Sequence, residues 1–109
     1  MSLYEEYFEE GKKRYETKGI NQEISIEYRF LMWEMIEALK IPKDYLQIFN
    51  LRVVTDASGN KIQSIIHMQE EPEYREEYTF PIISNGVAGK VYVIDDGGDY
   101  VTMLWADEY

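Results

Sequence analysis

Residues 25–40 constrain the fold more than any other stretch of this chain. Ser25 is suited to cap a helix N-terminus, Lys40 suits the negative end of a helix dipole, and Pro42 forbids continuation. Residue spacing predicts a helix on which Tyr28, Leu31, Met32, Met35, Ile36, Ala38 and Leu39 form one apolar arc, with Glu27, Arg29, Glu34, Glu37 and Lys40 opposite. Yet Ile26, Phe30 and Trp33 stand in the middle of the polar arc, at i, i+4 and i+7. A single sheet covers one side of a helix, so this second stripe requires a cover of its own. Three would serve: Leu3, Tyr4, Tyr7 and Phe8 folding back, a second copy in a homodimer, or a foreign protein.

The remainder reads mostly as strands. Residues 45–54 alternate from Phe49 to Val53, with Asn50 and Arg52 on the other face. The turn cluster at 56–60 and the return over 62–68 form a hairpin. Pro72, crowded by Glu70, Glu71 and Glu73, interrupts pairing before an extended run at 74–80. A loop over 81–89 leads to a second hairpin, 90–94 and 100–105. Near the N-terminus, Leu3, Tyr4, Tyr7 and Phe8 have helical spacing that Gly11 would end, and residues 14–20 read as a short strand. Met1-Ser2-Leu3 reads in part as a cloning remnant. The expected architecture is one α+β domain over residues 1–109: one principal helix on a mostly antiparallel sheet of about five strands, with a short helix in the extension 1–13.

Chemistry is thin. A chain of 109 residues can bury one core, and the absence of cysteine removes disulfides, thiolate metal sites and a cysteine nucleophile. The acidic N-terminus lacks an apolar signal region, and no apolar run is longer than the four residues of Phe30-Leu31-Met32-Trp33, so a cytoplasmic location is expected. In Asp95-Asp96-Gly97-Gly98-Asp99 the spacing fails the calcium loop, because Gly97 falls where a ligand belongs. The reading is a hairpin turn on Gly97-Gly98, with Asp96 facing Asp99 and all three aspartates part of an acidic surface. His67, the one histidine, reads as a strand residue at a surface edge, held to no carboxylate that would orient it. Glu76 and Glu77 point to opposite faces of a strand and cannot share a substrate. No catalytic residue, metal site or cofactor is expected, and no enzyme.

The net charge is −10, with −2 in residues 1–66 and −8 in residues 67–109. That sign opposes direct nucleic-acid or membrane binding and suits a basic protein partner. Ten tyrosines offer contact area at low entropic cost. The candidate interaction surfaces are Ile26, Phe30 and Trp33 on the helix, and Tyr74, Glu76, Glu77 and Tyr78 on the acidic strand. The leading functional expectation is a non-catalytic protein–protein interaction module. The alternative is an acidic nucleic-acid mimic that inhibits a DNA- or RNA-binding protein.

Several stretches carry a family resemblance: residues 14–20 (Arg-Tyr-Glu-Thr-Lys-Gly-Ile), Trp33 with Ile36, residues 44–49 and 67–74, Val93-Ile94-Asp95-Asp96-Gly97, and residues 103–109. Over residues 14–109 the chain resembles short uncharacterised Firmicute proteins grouped as a domain of unknown function. No activity is assigned to that group, so the resemblance implies no functional residue.

Overall fold

The structure, a computed structural model, describes residues 6–109. In chain order the elements are β1 (Lys13–Glu16), α1 (Lys18–Glu23), α2 (Ile26–Glu37), β2 (Leu46–Thr55), β3 (Lys61–Gln69), β4 (Tyr74–Phe80), β5 (Gly89–Asp95), β6 (Tyr100–Trp105) and a terminal 3-10 turn (Ala106–Glu108). The strands form one sheet in the order β1-β6-β5-β2-β3-β4. All neighbours are antiparallel except β1, which runs parallel to β6. The fold is α+β, but with six strands rather than about five, and the sheet is mixed.

The sixth strand, β1, keeps the first part of the stretch read as a strand at 14–20, and an additional helix replaces the rest. Residues 14–20 do not stay extended, because the Thr17 hydroxyl accepts the Ile20 N–H at 3.3 Å and starts α1. Only Lys13–Glu16 remains strand, laid along β6 with Arg14 opposite Val101 and Glu16 opposite Met103. Helix α2 begins as expected on Ser25, whose hydroxyl accepts the Tyr28 N–H, and ends at Ala38, which caps it and is exposed rather than buried. Its Tyr28, Met32 and Ile36 are buried with Phe49, Leu51, Val91, Val93 and Met103 of the sheet. Burial of such side chains is worth about 1.5–3 kcal/mol each and is the main term holding the two layers together.

The N-terminal helix expected over residues 3–10 is not present in its described part. Its first residues lie outside the described region, and from Phe8 onward the chain makes a bend and a turn, with Phe8 at φ 61° and Gly11 at φ 92°. A left-handed backbone at Phe8 cannot continue a right-handed helix.

Gly89 shows how tightly β5 and β6 fit. It opens β5 at φ 146°, and a Cβ built there would lie 2.6 Å from Cζ3 of Trp105. Gly89→Ala is expected to cost about 2 kcal/mol, from backbone strain and the displaced indole. Urea denaturation checks this, and an unchanged midpoint would mean that Trp105 swings aside freely.

Candidate functional site

Strand pairing sorts side chains onto two faces. Phe49 opposes His67 and Val91, and this face meets the helices. The alternate positions form rows on the other face. One row crosses five strands in register: Leu104, Tyr92, Ile48, Met68 and Arg75. The next holds Thr102, Ile94 and Leu46; on the other side run Lys90, Asn50, Ile66 and Glu77. The main core cluster is drawn from the helix face and the elements over it, while on the open face Ile66 and Ser64 are buried and Leu104, Tyr92, Ile48 and Met68 are half-buried. On the open face, among the described residues, Tyr109 meets Tyr92 edge-on at 6.0 Å and Tyr15 meets Tyr100 at 5.2 Å. Tyr15 and Tyr100 are each about half exposed there (51% and 47%).

This face also reverses the charge of the molecule. Among the described strand residues of this face, Lys13, Arg52, Arg75 and Lys90 are the cations and Glu77 the one carboxylate, an excess of three positive charges in a chain of net −10. Glu77 is already engaged: the Ser64 hydroxyl donates to it and Arg52 lies 3.5 Å away, contacts that hold its carboxyl below the usual range. Lys13, Arg75 and Lys90 form no ion pair among the described residues. A group of acids lies at one end of the sheet, where β2 begins and β3 and β5 finish: the exposed Glu70, Glu71, Glu73, Asp96 and Asp99 and the half-buried Asp44.

The predicted surfaces are partly dismantled. Ile26 and Phe30 are 65% and 61% exposed, as a docking stripe needs, but Trp33 is 6% exposed. Strand β1 covers it: Trp33 Nε1 donates to Glu16 at 3.0 Å, and the Arg14 guanidinium lies 4.9 Å from the ring centroid. Arg14 in turn pairs with Glu37. On β4, Tyr74, Glu76 and Tyr78 face the helix side and Glu77 faces the open side, so the four do not form one surface. Tyr78 packs against the core, and its hydroxyl lies 3.3 Å from that of Tyr74. Burial and that hydrogen bond push the Tyr74 hydroxyl up to about 12. Charged side chains on this edge strand also discourage edge-to-edge pairing.

His67 is a correction. It is fully buried on the inner strand β3, not at a surface edge, because its position alternates in phase with Ile65 and faces the helices. The ring stacks on Phe49 at 4.5 Å, and Nε2 lies 2.6 Å from Gln47 Oε1. Gln47 Nε2 donates to Gln69 Oε1, and Gln69 Nε2 donates to the carbonyls of Pro42 and Pro72. Since Gln47 Oε1 only accepts, Nε2 carries the imidazole hydrogen, and Nδ1 has no partner among the described residues. Burial lowers the imidazole to about 4. This network ties the turns before β2 and after β3 to the sheet.

Asp95 is the second correction. The Asp95–Asp99 stretch does form the hairpin turn, but the pairing of Asp95 with Val101 sets Asp96 opposite Tyr100 rather than opposite Asp99. Asp95 is fully buried rather than part of a surface. Its carboxylate accepts from Lys12 Nζ at 2.8 Å, the Phe8 N–H at 2.7 Å and the Gly97 N–H at 2.8 Å. Burial pulls its pKa up, but these donors outweigh it and the net shift is downward. Among the described residues, no group of three or more His, Cys, Asp or Glu is placed to hold a metal ion, and no helix is long and apolar enough to cross a membrane. A cleft of about 440 Å³ between residues 8–12 and α2 is lined by Lys12 and Arg14, whose charges are already taken by Asp95 and Glu37.

Residue reading overlooked the open face. Its signal was present: Lys13, Arg52, Arg75 and Lys90 each stand next in sequence to a helix-facing residue and so share the opposite parity.

No curated protein matches the chain. Among solved structures it is similar to a crystal structure of a protein of unknown function from Enterococcus faecalis, with a TM-score of 0.75 at 19% identity, over 95% of this chain and 96% of that one. That likeness shows the fold. The family resemblance read from residues 14–109 holds: a family model covers residues 13–108, and the chain belongs to the family described as Staphylococcal protein of unknown function (DUF960).

Proposed function

We propose that the protein is a non-catalytic module of the cytoplasm that binds another protein through the open face of its sheet. The carrying observation is the in-register apolar row Leu104, Tyr92, Ile48 and Met68 on a face that neither helix covers. An apolar centre within a polar rim is the anatomy of a protein interface. Ile26 and Phe30 extend the available contact on the helix side, but two side chains fall short of the roughly 800 Å² per partner of a standard interface. The non-catalytic part of the reading is supported by His67 and Asp95: the imidazole is buried and neutral, and the carboxylate is saturated by internal donors.

Capture from native cytoplasm with stepwise salt elution tests the reading. A partner retained by the wild type and by Phe30→Ser, but lost by Ile48→Asp with its circular dichroism unchanged, is the expected result. Retention that ignores Ile48→Asp would move the site elsewhere. One observation favours the nucleic-acid-mimic alternative, namely the row of acids along one end of the sheet. A mimic's complex would dissolve at modest salt, whereas an apolar interface would persist.

A further inference from the structure

We infer that the open face takes an acidic segment of another protein, one carrying aliphatic side chains among its carboxylates. This rests on the protein-binding reading above and names the partner's chemistry. Net charge alone suits a basic partner, but the face such a partner would have to use carries the opposite sign. The cations surround the apolar row rather than interrupt it. Lys13 stands on the edge strand β1, Arg75 on the opposite edge strand β4, and Lys90 and Arg52 flank the row on β5 and β2. Six strands at about 4.8 Å spacing separate the edges by about 24 Å, which an extended segment of roughly seven residues spans. Such a segment would seat aliphatic side chains on Ile48, Met68 and Ile94 and bring carboxylates to Lys13, Arg75 and Lys90.

Two other occupants fit less well. A second copy meeting face to face would set an excess of three positive charges against the same excess, and the molecule's own exposed acids lie at the sheet's end and on the helix side. Like charges across an interface cost affinity. A single-stranded nucleic acid would find cations, but the centre of the face is aliphatic. Its tyrosines, Tyr15, Tyr92, Tyr100 and Tyr109, sit toward the β1-β6-β5 side and offer no continuous stacking platform. A polyphosphate also continues past the face into the field of the remaining surface, which must be near −13 for the whole to total −10. A short acidic segment stays within a screening length of about 8 Å of the cations.

The test is selection of a displayed random-peptide library on the full-length protein, followed by fluorescence anisotropy of the enriched peptides. Enrichment of peptides rich in Asp and Glu with interspersed Leu, Ile or Val is expected. The triple variant Lys13→Glu, Arg75→Glu, Lys90→Glu should weaken them about tenfold or more. The control Lys18→Glu, Lys40→Glu, Lys61→Glu has the same net charge and should leave binding unchanged. All six side chains are exposed, so both variants should fold, and circular dichroism checks it. Basic peptides, or acidic ones indifferent to the first triple, would overturn the inference while leaving a protein-binding module standing. A library that yields no binder would overturn both. Anisotropy with a labelled oligothymidylate, or light scattering that reports self-association abolished by Ile48→Asp, would replace the acidic segment by nucleic acid or by a second copy.

Discussion

Asp95→Ala is expected to lower folding stability by about 3–5 kcal/mol, because it leaves a partly buried ammonium and two backbone donors without their acceptor. Lys12, the Phe8 N–H and the Gly97 N–H all converge on this one carboxylate. It therefore ties the N-terminal segment to the end of β5 and the turn that follows it, 83–87 residues away in sequence. Lys12→Met should cost less, since the carboxylate keeps both backbone donors. Urea denaturation of the two variants at neutral pH gives the comparison, and equal losses would show that the ammonium alone mattered. The sign of the pH effect follows from the downward shift. Stability contributed by Asp95 is present above the ordinary aspartate range and is lost as pH falls through its lower folded value.

Acidification acts on His67 in a separate and higher window. The imidazole titrates near 4 in the folded protein against an ordinary value of 6.5, so between those values the unfolded chain binds a proton that the folded protein refuses. The neutral imidazole's full stability is present above pH 6.5 and declines toward pH 4, where the accumulated loss is about 3 kcal/mol at 1.36 kcal/mol per unit. The cause is burial of the ring, which stacks on Phe49. Glu76, opposite on β4, is exposed and does not neutralise the charge. Urea midpoints at several pH values from 7 to 4 measure the decline. His67→Leu should flatten it by that amount whatever its baseline stability, because the carboxylates titrate equally in both proteins. Parallel slopes would mean that His67 charges freely in the folded state.

Much of the local architecture was legible in residue order. Alternation marked β2, β3, β5 and β6, and Ser25 and Pro42 bracketed α2, because side-chain period and caps are local properties. Thr17 escaped notice as a cap, and with it α1. The functional candidates fared differently, since each was judged on its own element. Trp33 looked exposed on an isolated helix, and only β1 crossing it with Arg14 and Glu16 buries it. His67 and Asp95 looked superficial because polarity alone was weighed. Their strand parity relative to Ile65 and Val93 placed them inside.

What the amino-acid order determined by itself is therefore α2 and the five strands β2 to β6, the family pattern and the excess of acid, all of which follow from neighbours within a few residues. The tertiary structure alone decided that β1 pairs in parallel with β6, that both helices lie on the same face, and that four cations share the opposite face with an apolar row. Register across strands far apart in sequence sets which side chains become neighbours. A charge summed along the chain cannot report a surface that this register assembles.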